Sequence, residues 1–137
     1  MALGDSYRFS GQQAKAVAAY QHAIELAYKT FQLNSQNAEA WGYLAMCYAK
    51  TGNHAQAAQD IARARAIDGE SNELMYEEAT VRALAGRTKE AVAGVEQAAL
   101  RSGYPLKEIE GDPDLKSVRE TPEFAKLAAE ISSKLGK

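Results

Sequence analysis

Residues 41–64 read WGYLAMCYAKTGNHAQAAQDIARA, and the spacing within this stretch decides the fold. Trp41, Leu44, Ala45 and Tyr48 recur at three- and four-residue intervals, which places them on one face of a helix. Gly52 follows, a residue that accepts the left-handed backbone just past a helix end. Asn53 then offers an N-cap, with Gln56 three residues on as its capping-box partner. Ala57, Ile61 and Ala64 form the apolar stripe of a second helix. Met75, Ala79, Gly86, Ala91, Val95 and Ala98 fall on the same grid 34 residues later. A 34-residue period divided by a glycine describes a repeated helix–turn–helix unit. Alanines at the crossing points let the antiparallel helices approach closely.

Composition narrows the function classes. The chain has 137 residues, 46% of them apolar and 25% charged, which suits one globular domain. Its formal net charge is −2 with no basic block, so nucleic acid is not an expected partner. A single cysteine, Cys47, excludes an intrachain disulfide and a cysteine zinc cluster. Apolar runs are only a few residues long, so no membrane insertion is expected. The start, Met-Ala-Leu-Gly-Asp, has neither the basic nor the apolar segment of a secretion signal, which points to the cytoplasm.

The unit at 38–71 resembles the tetratricopeptide repeat family. The family pattern is Trp-x2-Leu-Gly-x2-Tyr, then Ala-x3-Phe, then Ala, then Pro. Trp41, Leu44, Tyr48, Ala57 and Ala64 match it; Ala45, Ile61 and Gly69 stand at the Gly, Phe and Pro positions. A more degenerate unit covers 72–103, with Ser71 and Thr88 as expected caps of its two helices. A first unit, 1–37, carries Leu3, Gly4, Tyr7, Gly11, Ala16, Tyr20 and Ala23. Gly11 precedes Gly52 by 41 residues, seven more than the period and close to two helical turns. Val17, Tyr20, Ile24, Ala27, Tyr28 and Phe31 keep helical spacing through the insertion, so the second helix is predicted to run unbroken over about 12–33. At about 1.5 Å per residue it is about 30 Å long and projects past its neighbours. Met1 already stands at the fifth position of the pattern, which suggests a chain cut from a longer protein.

The resemblance implies an all-α fold, a right-handed α-solenoid of antiparallel helix pairs, with repeats over 1–103 and a helical C-terminal cap over 104–137. Asp112-Pro113 and Thr121-Pro122 mark two capped helix starts in the cap. Leu115, Val118, Phe124, Leu127, Ala128 and Ile131 supply its apolar faces. An atypical last helix of this kind covers the open end of a solenoid. The cap also looks like segments that follow the last repeat in bacterial multidomain proteins.

Chemistry-bearing motifs are missing. The sequence has no Walker loop and no dinucleotide fingerprint, and its two histidines, His22 and His54, lack the spacing of a metal pair. Glu110, Asp112 and Asp114 fail the EF-hand spacing, and Pro113 makes helix capping the better reading. Cys47 reads as a small buried hydrophobe. No enzyme and no cofactor are expected.

A protein or peptide partner is therefore expected. In the tetratricopeptide family the first helices of successive repeats line a concave groove. The groove positions fall on Asp5, Arg8 and Phe9; on Glu39, Gly42, Tyr43, Met46, Ala49 and Lys50; and on Glu73, Tyr76, Glu77, Thr80, Ala83 and Leu84. One subgroup clamps a chaperone's C-terminal carboxylate with Lys, Asn and Arg. Here Asp5 and Tyr43 replace the asparagines, and Glu73 and Glu77 the cations, so that ligand meets like charge. The expected peptide site is Asp5, Phe9, Glu39, Tyr43, Met46, Tyr76, Glu77 and Thr80, mildly acidic and apolar, suited to a basic and apolar segment. The competing reading packs Tyr43 and Tyr76 between repeats and leaves the glutamates as solvated helix starts. The alternative function is a structural or self-association element, in which a homodimer or a neighbouring domain docks through the C-terminal tail or through a second candidate surface, Tyr28, Phe31 and Leu33 at the end of the long helix. The competing reading of that surface is packing on the adjacent repeat.

Overall fold

The computed structural model describes residues 2–135, with backbone alone for Ala2, Ser102 and Leu135. Met1, on which the expectation of a chain cut from a longer protein rests, lies outside them. The helices are α1 (Ala2–Phe9), α2 (Gln13–Leu33), α3 (Ala38–Lys50), α4 (His54–Ile67), α5 (Asn72–Leu84) and α6 (Thr88–Ser102). After them come α7 (Leu106–Gly111), a 3-10 turn (Pro113–Leu115), α8 (Lys116–Arg119) and α9 (Pro122–Leu135). No strand occurs among the described residues. The chain is an all-α solenoid of three helix pairs, α1/α2, α3/α4 and α5/α6, with α7–α9 packed as a cap on the last pair.

Local chemistry sets the helix ends. The side-chain oxygens of Asn37, Asn53 and Ser71 accept the backbone amides of Ala40, Gln56 and Leu74, so each satisfies one orphan N–H of a first turn. Gly52 and Gly86 close α3 and α5 with φ of 86° and 80°, a backbone region that an L side chain rarely enters. Two expectations need correcting. Thr88 is the first residue of α6 rather than its cap; Arg87 holds that place without a side-chain cap bond. Gln56 does not reach back as a capping-box partner: its amide donates to Asp60 Oδ1 at 3.0 Å.

The alanine stripes do what their size allows. Ala16, Ala45, Ala57, Ala64, Ala79, Ala91 and Ala98 are completely buried, mostly where two helices cross. Gly4 goes further, since a Cβ there would stand 2.6 Å from the ring of Tyr20. Ala23, Ile24, Ala27, Leu44 and Cys47 form the core between α2 and α3. Ile109, Leu115, Val118, Phe124 and Leu127 extend the core of α5/α6 into the cap. The apolar spacing of the long helix holds: α2 is 21 residues, against 14 for α4 and 15 for α6.

α3 packs directly on α5, and neighbouring pairs otherwise meet through α2 on α3 and α4 on α5. The first helices α1, α3 and α5 therefore form the inner row of the solenoid. The residues of that row set the chemistry of the inner face.

Candidate protein-binding face

The inner face divides into two halves. One half is closed by the chain itself. Asp5 on α1 accepts the Tyr20 hydroxyl at 2.5 Å and the Lys50 ammonium at 2.7 and 2.9 Å. Lys50, at the end of α3, also faces Asp114 of the cap at 3.6 Å. Arg8 on α1 donates to the same Asp114, a contact between residues 106 positions apart in the chain. Asp112 accepts the Tyr76 hydroxyl of α5 at 2.5 Å and the Asp114 amide at 2.9 Å. The Tyr76 ring stacks on Tyr104 with centroids 4.2 Å apart. Burial, followed by the neighbouring aspartates, pushes the Tyr20 and Tyr76 hydroxyls well above the usual phenol range, so both remain donors. All three first helices thus contribute a donor to the acidic turn at 112–114. Arg119 holds that turn from behind by donating to the Ile109 and Asp112 carbonyls.

The other half is open. A cavity of about 480 Å³ lies between α3 and α5. Its charged lining is Glu39, Asp68, Glu73 and Glu77, and no cationic side chain lines it. Tyr43 and Leu74 supply much of the remaining wall. Glu77 is the most deeply set of the four. Its Oε2 is buried without a hydrogen-bond partner and leans on Gly42, where a Cβ would come within 2.7 Å of it. Burial first, then Glu73 and Glu39, push its carboxyl up to about 7, with Lys50 opposing. A second cavity of about 350 Å³ lies between α2 and α3, and Glu39 and Tyr43 line both.

These features, an inner row of helices and a groove beside it, are those of a repeat solenoid, and the tetratricopeptide repeat family model matches residues 14–75. Over that span the chain is similar to tetratricopeptide repeats. Tetratricopeptide repeats generally mediate protein–protein interaction and are typically non-catalytic. Among curated proteins, none matches the chain. No described helix is long and apolar enough to cross a membrane, and no metal-ligating cluster occurs among the described residues.

Seven of the eight expected site residues separate into three groups. Glu39, Tyr43 and Glu77 meet at the open cavity. Asp5 and Tyr76 belong to the closed half. Met46 and Thr80 are buried in the helix packing, and the Thr80 hydroxyl donates to the Tyr76 carbonyl at 3.1 Å. Phe9 stands apart: it is 55% exposed with the Arg8 guanidinium over its ring, and it does not line the cavity. Asp68, Ser71 and Leu74 line the cavity although none stands at a groove position. Glu73 and Glu77, four apart on one helical face, are the sequence signal that points toward them.

The end of the long helix is only partly uncovered. Phe31 stacks on Trp41 at 4.0 Å, and Arg63 lies over the Trp41 ring at 4.8 Å. Tyr28 shares a 3.0 Å hydrogen bond with the Tyr48 hydroxyl yet remains 46% exposed. Leu33 is 91% exposed.

Proposed function

We propose that this chain is a non-catalytic interaction module that binds a basic segment of a partner protein at the open half of its inner face. The observation that carries the proposal is the cavity between α3 and α5, whose charged lining consists of four carboxylates and no cation. A lysine or arginine entering there meets uncompensated negative charge on a partly desolvated wall, where charge pairs are stronger than in bulk water. Tyr43 adds a half-buried aromatic face, on which an arginine or an alkyl chain packs well. A carboxylate-terminated segment is repelled by the same groups.

Phe31 argues against the long-helix end as the principal docking surface. Its ring is used internally against Trp41, which removes one aromatic anchor from that patch.

The test is capture from a lysate by wild type beside Tyr43→Ala/Glu73→Lys. Glu73 is exposed, so its reversal leaves the packing intact, whereas Glu77 is too deeply set for a clean charge reversal. A protein kept by wild type and lost by the variant supports docking at the open half. Equal recovery by both refutes it.

A further inference from the structure

The open half has a neighbour of different chemistry. The cavity between α2 and α3 is floored by Ala23, Ala27 and Ala40 and bordered by Leu26, which is 49% exposed. Two of its uncharged polar neighbours, Thr30 and Asn37, are engaged within the chain. The Thr30 hydroxyl donates to the Leu26 carbonyl at 3.3 Å, and the Asn37 side-chain oxygen accepts the Ala40 amide at 3.0 Å. Glu39 is the one charged residue of its lining, and it faces the acidic cavity as well. The trough exists because α2 is long: Ala27 and Thr30 lie beyond the point where α4, aligned on Ala16 and Ala57, has ended.

Resting on the reading of the open half as a basic-segment site, we infer that this trough is a second subsite which takes an aliphatic side chain. The partner is then a bipartite segment, with Leu, Ile, Val or Met on one side of Tyr43 and Lys or Arg on the other. Charge complementarity fixes the basic half, and continuity through Glu39 and Tyr43 joins it to the trough. An aliphatic group satisfies the trough because alanine methyls and Leu26 demand no polar partner, and covering them removes apolar surface from water. A second basic group there would meet Glu39 alone, already shared with the first.

The experiment selects a phage-displayed library of random dodecapeptides on the full chain, on Leu26→Gln and on Glu39→Lys, each with wild-type helicity by circular dichroism. Leu26→Gln keeps size and helix preference while removing the apolar wall. On wild type, enriched peptides are expected to pair an aliphatic residue with Lys or Arg at a fixed separation. On Leu26→Gln the aliphatic preference should vanish while the basic preference persists, and a wild-type-selected peptide should bind at least tenfold more weakly. Basic-only enrichment on wild type, or equal binding to wild type and Leu26→Gln, overturns the second subsite and leaves the basic site standing. Peptides that bind Glu39→Lys as well as wild type, or an absence of enriched peptides, overturn both.

Discussion

Both halves of the inner face carry a cluster of carboxylates, yet they behave in opposite ways. In the closed half Asp5, Asp112 and Asp114 are met by Lys50, Arg8, Tyr20 and Tyr76, so every carboxylate has a donor. In the open half Glu39, Asp68, Glu73 and Glu77 line one cavity with no cation, and Glu77 keeps a buried oxygen unpaired. The closed half uses acidic charge to join the first helix pair to the cap. The open half holds acidic charge in reserve. Residue type alone therefore does not mark a binding surface; the state of satisfaction does.

The sharpest way to break this contrast is to remove Lys50, the more buried of the two cations of the closed half. Lys50 and Asp114 are nearly inaccessible, with side chains 5% and 6% exposed. Lys50→Ala leaves Asp5 and Asp114 without their shared ammonium, and the expected loss is about 3 kcal/mol in urea unfolding. A shift of the midpoint too small to measure would show that the closed half is no tighter than a surface ion pair.

Glu77 supplies the opposite sign. Its folded carboxyl titrates near 7, above the ordinary 4.5, so the folded state holds the proton more tightly than the unfolded chain. Stability is then highest below pH 4.5, falls as pH rises between 4.5 and about 7, and is flat beyond as far as this group is concerned. Glu77→Gln should remove that fall and stabilise the protein by about 2 kcal/mol at pH 8, with little effect at pH 4. Equal stability of variant and wild type across that range would place Glu77 in water rather than against Gly42. Binding of a basic peptide should strengthen over the same interval as the carboxylate forms, which a titration at pH 6 and pH 8 reads directly.

Smaller effects are expected at exposed positions. Glu73→Lys should change stability by no more than about 0.5 kcal/mol, yet weaken a basic ligand severalfold at low salt. Loss of that difference in high salt would agree with screened charge, whereas a difference that persists there would implicate shape.

The architecture was largely legible from spacing. Trp41 through Ala64 and their counterparts 34 residues on gave the pairs, and the unbroken apolar series from Val17 to Phe31 gave the long helix. Periodicity reports which face of a helix is buried, and repeats amplify that report. The closed half was not legible. Asp112 reads correctly as a cap, since its side chain accepts the Asp114 amide, but nothing local reveals that Asp114 meets Arg8 from 106 residues away. Groove positions transferred from a family pattern were uneven for the same reason. Met46 and Thr80 sit where the pattern places ligand contacts, yet the neighbouring helices bury them. Asp68 and Ser71 enter the cavity from the α4–α5 connection, which a helix-based pattern does not cover.

Cys47 has a practical consequence. The thiol is fully enclosed between α2 and α3, and burial pushes it up to about 11, so it stays protonated and shielded at neutral pH. A cysteine introduced at an exposed position such as Glu73 would react with a maleimide while the native thiol stays silent. The wild-type background is thus already suited to single-site fluorophores or spin labels, and a reporter can be set at the rim of either half without altering the core.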